Sequence, residues 1–365
     1  MIKTLEVFIS KRKVGTISLN NNNNNNSVFQ YDDKWLENGF SVNPLKLPLS
    51  KQLFESNSQY FDGLFGVFAD SLPDSYGWIL LDRYLKSKGL NIKSLDCLDR
   101  LSYIGSLGMG ALEYIPDLGI DIDRTNIDFD MIQEECDLLL YNKEVNHIDS
   151  LYSFGAYVGG SRPKSLIKYD GEDYIVKFSS KYDSKNIAKI EYDCMSKAKE
   201  AGINIPEIKI VTTNSGNKYF LIKRFDRNKG KKIHMISAAG LLECDFQLPS
   251  VDYNTLVKLT RVITSDEEDV IEIYRRMVFN VLIDNQDDHA KNFSFLYDEE
   301  EKKYVLSPAY DITTNKTYYL EHMTSVNGKG KNITDDDMIQ VAINNKIDIE
   351  LAKEIIKKVK SVFNK

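Results

Sequence analysis

The sequence is poor in residues that bind metals or form disulfides. Its 365 residues include 4 cysteines and 4 histidines, which are dispersed, and no CxxC pair occurs. Structural zinc sites and disulfide frameworks place such residues at short, regular spacings. We therefore expect neither a zinc site nor a disulfide framework, and the cysteine usage suits a reducing cytoplasm.

Long apolar runs are also lacking. A transmembrane helix needs about twenty consecutive apolar residues, and the sequence contains no run of comparable length. The stretch Met1 to Glu6 lacks the basic segment and following apolar segment of a secretory signal. We expect a cytoplasmic protein that makes no contact with a membrane.

Basic residues do not outnumber acidic ones. Lysine and arginine total 47, aspartate and glutamate total 54, and the net charge is −7 at pH 7. Proteins that hold DNA directly neutralise its phosphates with clustered basic side chains. The composition therefore favours contact with DNA only indirectly, through a basic partner. The length favours two domains, or one domain in two lobes.

The N-terminal region begins with β-structure. Alternating apolar residues at 5–9 and 14–19 predict a β-hairpin. Seven consecutive asparagines, Asn20 to Asn26, favour an exposed loop because their side chains compete for backbone hydrogen bonds.

Helical patterns and a glycine-rich stretch follow. Residues 61–86 have helical spacing interrupted at Pro73, after which Asp74 or Ser75 is able to cap a second helix. Residues 105–112 are rich in glycine but lack the strand and helix that flank a dinucleotide-binding motif. We interpret them as a site of close backbone packing.

A different order of elements begins near residue 155. Strands at 165–169 and 174–178 flank a turn and predict a second hairpin. Helices and strands follow at 186–201 (helix), 208–211 and 219–222 (strands), and 266–283 and 348–363 (helices).

This order predicts an α+β fold with the two lobes of a protein kinase, a β-rich lobe leading into a mostly helical one. We expect a β-rich N-terminal subdomain over 1–118 and a kinase-like catalytic domain over 119–365. The nucleotide-binding lobe would extend to about residue 224, and the helical lobe would start at about 225.

The segment 285–292, which we call the polar loop, is the most informative one. It has the sequence NQDDHAKN, follows a helix with a buried apolar face, and precedes a predicted hairpin and Asp311. In protein kinases a loop aspartate accepts the hydroxyl proton, an asparagine five residues later binds Mg²⁺, and a later aspartate also binds it. Asp287, Asn292 and Asp311 match this order, and carboxylate and amide oxygens suit Mg²⁺. The alternative is a polar loop that only ends a helix.

Three other residues of the polar loop have candidate roles. Lys291 could neutralise charge on the transferred phosphoryl group. Asp288 lacks the kinase spacing and is interpreted as a bystander. His289 either contacts the nucleotide or braces the loop by hydrogen bonding.

A glycine-rich segment, residues 155–164, precedes the second hairpin, and we call it the glycine loop. Its backbone N–H groups could approach phosphates. Lys177 stands in an otherwise apolar strand, where phosphate oxygens could be its partner; an edge-strand lysine reaching solvent is the alternative. Glu191, on the next helix, either pairs with Lys177 or is solvated.

Several motifs together resemble the HipA family of serine/threonine kinases. The resemblance covers nearly the whole chain and is found in LPDSYG (72–77), GAL (110–112), GGSRPK (159–164), RFDR (224–227), NQDDHAKN (285–292) and PAYD (308–311).

The resemblance implies an ATP- and Mg²⁺-dependent kinase with specific site residues. Asp287 would be the catalytic base, with Asn292 and Asp311 as metal ligands and Lys177 on the ATP phosphates. Lys223 to Phe225 would form the hinge near adenine. The complete set expected to bind nucleotide and metal is Gly159, Gly160, Ser161, Arg162, Lys164, Lys177, Lys223, Arg224, Phe225, His289, Lys291, Asn292, Tyr310 and Asp311.

The resemblance also implies a biological role. Members of the family are toxins that phosphorylate protein targets, of which aminoacyl-tRNA synthetases are the known type, and a small helix-turn-helix antitoxin neutralises them and binds operator DNA. One departure concerns regulation. The family often carries serines just before the Gly-Gly pair, whose autophosphorylation inactivates the kinase, whereas this sequence has Ala156-Tyr157 there. We expect self-inactivation to be altered or absent.

Two other function classes remain open on the sequence alone. One is a catalytically weak co-repressor that supports an antitoxin on DNA. The other is a kinase of a small molecule or lipid, because a kinase-like fold does not fix the acceptor.

Overall fold

The computed structural model describes residues 2–20, 26–125, 127–157, 159–180, 183–184 and 186–363. The chain forms two compact units. The first unit comprises Met1–Lys189 and Ile208–Ile236, and the second comprises Ile190–Glu207 and Ser237–Lys365. The boundaries predicted near residues 118 and 224 follow motifs rather than packing, and they stay a prediction about domains.

The first unit begins with a five-stranded antiparallel sheet. Its strands are ordered β4-β3-β2-β1-β5. They are β1 (Thr4–Ile9), β2 (Arg12–Asn20), β3 (Asn26–Tyr31), β4 (Phe54–Glu55) and β5 (Glu113–Ile115). The predicted N-terminal hairpin is confirmed, since β1 pairs with β2. Asn20 and Asn26 are strand residues that pair with each other, and the loop prediction for 21–25 falls outside the described residues.

Helices accompany this sheet. They are α1 (Asp33–Asn38), α2 (Gly66–Ala69), α3 (Ser75–Ser87), α4 (Cys97–Ile104), α5 (Phe129–Leu140) and α6 (Ile148–Gly155), with a 3₁₀ turn at Ile92–Ser94. The interruption predicted at Pro73 is confirmed because α3 begins at Ser75. The rings of Tyr84 and Tyr152 stack 4.2 Å apart, which joins α3 to α6 in the apolar core.

A four-stranded antiparallel sheet completes the first unit. Its strands, in the order β6-β7-β9-β8, are β6 (Lys164–Tyr169), β7 (Glu172–Lys177), β8 (Ile208–Thr212) and β9 (Lys218–Lys223). The second predicted hairpin is confirmed, with Gly171 at a positive φ of 78° in its turn. The strands β10 (Arg227–Asn228) and β11 (Lys231–Lys232) form a short ribbon. Two elements span the unit boundaries, α7 (Ile187–Glu200) and β12 (Met235–Ser237).

The second unit is mostly helical. Its helices are α8 (Ala238–Leu242), α9 (Tyr253–Thr264), α10 (Glu267–Leu282), α11 (Asp335–Asn344) and α12 (Ile349–Ser361), with a 3₁₀ turn at Ala290–Asn292. Its strands are β13 (Val251–Asp252), β14 (Ser294–Asp298), β15 (Lys303–Leu306) and β16 (Thr324–Ser325). The hairpin predicted after the polar loop is confirmed, because β14 pairs with β15.

Helix α10 positions the polar loop. Asp266 caps the helix by accepting a hydrogen bond from the amide of Glu268. The predicted apolar face is buried at Val270, Tyr274, Met277 and Val278 and half-buried at Ile271, Val281 and Leu282. A second buried stripe was not predicted and is polar, with residues at a spacing of four: Glu272, Arg276 and Asn280.

Along the part of the chain that the structure describes, none of the helices has the length and apolarity needed to cross a bilayer.

Candidate active site

Asp287 is held in the polar loop by hydrogen bonds on both its backbone and its side chain. The Asn292 amide donates to the carbonyl oxygen of Asp287, with 2.8 Å between Nδ2 and O. The Asn315 amide donates to the Asp287 carboxylate, with 3.1 Å between Nδ2 and Oδ2. The carboxylate therefore has a fixed direction. Asn315 was not predicted, because it lies in an irregular segment without a sequence pattern.

Asn292 and Asp311, the two predicted metal ligands, line one narrow cavity in the second unit, with room for about one water-sized sphere (about 10 Å³). Asp311 has a left-handed backbone with φ of 53°. Aspartate adopts this conformation more readily than most residues, and such backbones concentrate at functional sites. Among the described residues, no group of three or more His, Cys, Asp or Glu side chains could hold a metal.

The site residues fit a hard cation in one specific respect. The bond from Asn292 to Asp287 uses the amide nitrogen of Asn292. The amide oxygen is consequently the atom left for a ligand, and oxygen is what Mg²⁺ takes. The amide oxygen of Asn292 and the carboxylate of Asp311, together with the phosphates of a nucleotide, would be enough to bind Mg²⁺.

Asp288 is fully buried and structural in its contacts. Its carboxylate accepts hydrogen bonds from the Tyr253 hydroxyl at 2.8 Å and the Thr324 amide at 3.1 Å. Its Oδ2 also lies 3.1 Å from Nδ1 of His322. Burial, together with the neighbouring Asp288 charge, raises the pKa of Tyr253 well above its usual value, so its hydroxyl stays a donor. These contacts support the interpretation of Asp288 as a bystander in the chemistry.

Phe246 contacts both His289 and Lys291. The imidazole of His289 meets it edge-on at 5.7 Å between ring centroids. The ammonium of Lys291 lies 4.4 Å from the Phe246 centroid, in cation–π range. Nδ1 of His289 is buried without a hydrogen-bond partner among the described residues. No bracing hydrogen bond is therefore made through this nitrogen, and the His289 role stays a prediction.

Tyr310 ties the segment before Asp311 to the polar loop. Its hydroxyl donates to the Lys291 carbonyl at 2.6 Å and also shares a hydrogen bond with the Ser294 hydroxyl. In this geometry the Tyr310 side chain spans from the Asp311 segment to the start of β14.

The buried polar stripe of α10 contacts the segment that precedes Asp311. The Arg276 guanidinium pairs with Glu272 at 3.0 Å and donates to the Ser307 carbonyl at 2.7 Å. Burial lowers the pKa of Arg276 from its ordinary value, and the Glu272 carboxylate opposes that shift. Arg276 and Asn280 line the cavity that Asn292 and Asp311 share. The stripe therefore fixes the approach to Asp311.

Gln286 fixes the segment 315–323 beside the polar loop. The backbone N–H of Gln286 donates to the Asn315 carbonyl at 2.8 Å, and the backbone carbonyl of Gln286 accepts from the Met323 N–H at 2.9 Å. Its side-chain oxygen accepts from the Thr317 amide at 3.0 Å. The residues Tyr318 to Leu320 between these anchors are exposed.

In the first unit, Lys164 and Lys177 are cross-strand partners on β6 and β7. Directly opposed side chains lie on one face of a sheet. Lys164 is buried, and Lys177 lies with its ammonium 5.8 Å from the Phe220 ring. Two ammonium groups on one face next to the glycine loop suit a polyphosphate.

The glycine loop has one amide already engaged. Gly160, at φ of 103°, donates its N–H to Oδ2 of Asp74, with 2.8 Å between N and O. Arg162 forms an ion pair with Asp183 at 3.0 Å, and Ser161 is exposed. Asp74 is the N-cap residue of α3, as predicted, but its side chain makes no capping hydrogen bond. Asp74 reaches the glycine loop instead.

The segment predicted as the hinge is held by ion pairs. Lys223 lies 3.1 Å from Glu172 at the end of β9. Arg224 donates twice to the buried Asp226 carboxylate, at 2.9 and 2.7 Å. Phe225 lies between them in sequence. The roles of Lys223, Arg224 and Phe225 toward adenine stay predictions.

Asp226 is the centre of a buried network that we call the arginine clasp: Arg224, Asp226 and Arg227. The Asp226 carboxylate accepts from the Gly110 amide at 2.7 Å, and Arg227 donates to the Gly110 carbonyl at 2.8 Å. Burial opposes ionisation, but the two guanidinium groups lower the pKa of Asp226 to about 2. The close backbone packing predicted for 105–112 is found at Gly110, where a Cβ would lie 3.2 Å from the backbone nitrogen of Met235.

Family comparisons agree with these motifs. The HipA N-terminal domain matches residues 5–115, and the HipA-like C-terminal domain matches residues 156–365. The second match alone covers more than half of the chain and includes residues 156–164 of the glycine loop, Lys177, the polar loop and Asp311.

Individual relatives are more distant. The chain is 26% identical over 215 residues to "Putative kinase Y4dM" of Sinorhizobium fredii, covering 53% of this chain and 52% of that protein. It is 28% identical over 187 residues to a "Putative kinase" of Haemophilus influenzae, covering 45% and 54%. The chain thus spans about half the length of the curated relatives it matches.

A solved structure covers far more of the chain. The fold is similar to that of a chain in the complex of the Shewanella oneidensis toxin–antitoxin proteins HipA and HipB with operator DNA. The TM-score is 0.75 at 18% identity, over 99% of this chain and 90% of that one. The predicted α+β fold class is therefore confirmed, and the chain belongs to the HipA family.

Proposed function

We propose that this chain is an ATP- and Mg²⁺-dependent serine/threonine protein kinase that arrests growth as the toxin of a toxin–antitoxin pair. The observation that carries the proposal is the arrangement of Asp287, Asn292 and Asp311. The amide of Asn292 holds the backbone of Asp287, and its neighbour in the cavity is Asp311. Base and metal ligands are thus supplied by one hydrogen-bonded loop and the segment after its hairpin.

Asp287 acts on the acceptor hydroxyl in this mechanism. Its carboxylate orients the hydroxyl and accepts its proton as the oxygen attacks the γ-phosphoryl group of ATP. Asn315 keeps that carboxylate aimed, so little reorganisation is needed. Asn292 and Asp311 would hold Mg²⁺, which would supply positive charge to the phosphates. Lys291 adds positive charge near the transferred group.

Lys164, Lys177 and the glycine loop act on the nucleotide. The paired ammonium groups bind the phosphates, and the loop supplies backbone N–H groups. The segment 223–225 then borders the adenine.

The partners in this proposal follow from the family. The Shewanella oneidensis structure contains HipA with HipB and operator DNA, which supports a small helix-turn-helix antitoxin as the partner here. The net charge of −7 supports contact with DNA through that antitoxin. The acceptor would be a cytoplasmic protein, with aminoacyl-tRNA synthetases as the target class that the family implies.

Growth and phosphoryl transfer test the proposal together. Wild type and Asp287→Asn are expressed under an inducible promoter, and purified protein is incubated with [γ-³²P]ATP and cell lysate. We expect wild type to arrest growth and to label a discrete protein band, and the variant to do neither.

Other outcomes would identify the competing functions. Identical growth with both proteins and no labelled protein would favour a catalytically weak co-repressor. Labelling of a lipid or small-molecule fraction, with no labelled protein, would favour a different acceptor. Either result would contradict the protein-kinase proposal.

A further inference from the structure

Asp74 occupies a helix-capping position without capping its helix. An N-cap carboxylate ordinarily accepts a hydrogen bond from an amide in the first turn of its own helix. At the start of α4, Asp96 does so by accepting from the Asp99 amide at 2.9 Å. Asp74 makes no such bond at the start of α3. Its Oδ2 accepts from the Gly160 amide instead, with 2.8 Å between the atoms.

The start of α3 and the glycine loop are packed closely around this contact. A Cβ on Gly77 would lie 2.8 Å from the carbonyl oxygen of Ala156. A Cβ on Gly159 would lie 2.9 Å from Oδ2 of Asp74. Glycine at both positions therefore lets the backbone come within reach of the carboxylate. The bond spans 86 positions in sequence.

The conformation of Gly160 explains why the loop benefits from an anchor. Its φ of 103° is accessible to glycine and strained for other residues. Glycine loses more conformational freedom on ordering than any other residue, so a glycine loop is not held by its own preferences. An acceptor with a charge holds an N–H more strongly than a neutral one.

We propose that Asp74 is a positioning residue that fixes the glycine loop for the phosphates of ATP. The inference rests on the proposed function, because the loop must bind phosphate for the anchor to matter. It assigns a role in nucleotide binding to a residue of the matched N-terminal domain, residues 5–115, whereas the loop belongs to the matched C-terminal domain, 156–365. The kinase site is then incomplete without the N-terminal domain.

Three full-length variants test the role. Asp74→Ala removes the acceptor, Asp74→Asn keeps an acceptor oxygen without the charge, and Asp96→Ala removes a true helix cap elsewhere in the first unit. Isothermal titration with Mg-ATP measures the Kd, and hydrogen–deuterium exchange measures protection of the peptide containing Gly160. Thermal unfolding measures stability.

We expect Asp74→Ala to raise the Kd and the KM for ATP about tenfold, the effect of one charge-assisted hydrogen bond, with kcat changed less than about twofold. Exchange at Gly160 should accelerate. Asp74→Asn should restore most of the affinity. Asp96→Ala should lower the Tm more than Asp74→Ala does, without altering the Kd, because Asp96 caps a helix and Asp74 does not.

Each contrary result has a distinct meaning. Wild-type affinity and exchange in Asp74→Ala would overturn the positioning role and leave the kinase proposal standing. Tighter ATP binding in Asp74→Ala would overturn it too, since the carboxylate would then compete with phosphate. If Asp74→Ala does not fold, Asp74→Asn provides the test. A weaker affinity for ATP that is accompanied by a lower Tm in this variant would assign Asp74 to stability alone. Absence of ATP binding in wild type would overturn both proposals.

Discussion

Asn292 donates its side-chain amide to the backbone carbonyl of Asp287, so a proposed metal ligand holds the residue proposed as the base. The two residues are five positions apart in sequence, and the 3₁₀ turn at Ala290–Asn292 brings the side chain of Asn292 back to the Asp287 backbone. A substitution at Asn292 would therefore disturb Asp287 as well. Substitutions at Asp287 and Asp311 are better suited to separate the role of the base from that of the metal ligand.

The first prediction concerns Asp287 and its neighbour Asp288. Asp287→Asn should lower kcat by about 10²- to 10⁴-fold, the usual contribution of a general base, with the Tm and the Kd for Mg-ATP unchanged. The measurement is steady-state phosphoryl transfer to the labelled protein substrate.

Asp288→Asn is the matched control. Its carboxylate is buried and bonded to Tyr253 and Thr324, so this variant should lose about 1–3 kcal/mol of unfolding free energy. Retained activity in Asp287→Asn, or loss of activity in Asp288→Asn without loss of stability, would reverse the assignment of the two aspartates.

The second prediction concerns metal dependence. Asp311→Asn should raise the Mg²⁺ concentration needed for half-maximal activity by about tenfold or more, because a neutral amide binds a hard cation less strongly than a carboxylate. The backbone should tolerate the change, since asparagine also adopts the left-handed conformation. The measurement is a Mg²⁺ titration at saturating ATP.

Asp284→Asn provides the control for this change. Asp284 has a φ of 56°, close to the 53° of Asp311, but it does not line the cavity and its carboxylate lies 3.4 Å from Lys316. An unchanged Mg²⁺ requirement in Asp311→Asn, or an equal shift in both variants, would remove Asp311 from the metal site.

The third prediction concerns the arginine clasp. Asp226→Asn should lower the free energy of unfolding by about 3 kcal/mol, because it leaves the buried Arg224 and the half-buried Arg227 without their carboxylate. Denaturant unfolding of the first unit measures the effect. Asp62→Asn breaks the solvent-exposed pair of Asp62 with Arg100 and should change stability by less than about 1 kcal/mol. Equal effects of the two substitutions would contradict a structural role for the clasp.

The fourth prediction concerns pH. Burial lowers the pKa of His234 to about 4, while an unfolded histidine has its ordinary value near 6.5. The unfolded chain therefore binds a proton that the folded chain does not as the pH falls through 6.5 toward 4. Above pH 6.5 the neutral imidazole makes its full contribution to the free energy of unfolding. Below pH 6.5 this contribution is lost progressively, and the loss is about 2 kcal/mol at pH 5.

Unfolding of wild type and His234→Gln at pH 7.5 and pH 5.0 measures this contribution. Glutamine can keep the hydrogen bond from the side chain to the Val42 carbonyl, which His234 makes at 2.9 Å, but it does not titrate. The stability loss between the two pH values should be smaller in the variant by about the same 2 kcal/mol. An equal loss in both proteins would contradict a buried neutral histidine.

The fifth prediction concerns self-inactivation. Ser153 is fully buried in α6, and its hydroxyl accepts a hydrogen bond from the Ile122 amide at 3.2 Å. Ser161 is exposed in the glycine loop but displaced from the positions where the family carries serines. We expect no phosphate at either residue after incubation with ATP, and activity should not decay with time. Peptide mass spectrometry of wild type and Ser161→Ala would reveal phosphate at Ser153 or Ser161, and either finding would contradict the expectation.

The regular elements were largely predictable from sequence, because they depend on local patterns. Both early hairpins have strand-forming residues around a turn, and α10 has an aspartate cap and an apolar face. The face was predicted only in part. The buried Glu272, Arg276 and Asn280 have a spacing of four that a search for apolar residues does not register, although that spacing was the available signal.

The residues of the candidate site were predictable where a motif fixes their spacing in sequence. They were not predictable where a hydrogen-bond partner lies far away in sequence. Asp287, Asn292 and Asp311 follow an order set by phosphoryl-transfer chemistry. Asn315 contacts Asp287 from 28 positions away, and Asp74 contacts Gly160 from 86 positions away. Asp74 was recognised as a motif residue, but its helix-capping position indicated a local bond. Which N–H group donates to Asp74 depended on tertiary packing.

The arginine clasp also constrains how this protein can be recombined with its relatives. Its three side chains come from the segment 224–227, and the backbone they grip belongs to Gly108 and Gly110. A chimaera that takes its first 118 residues from another member of the family keeps the clasp only if the donor loop presents the same amide and carbonyls. Otherwise the hybrid buries two positive charges and a carboxylate against the wrong surface. The two halves are therefore expected to be inherited, and to be exchanged in the laboratory, as one compatible set.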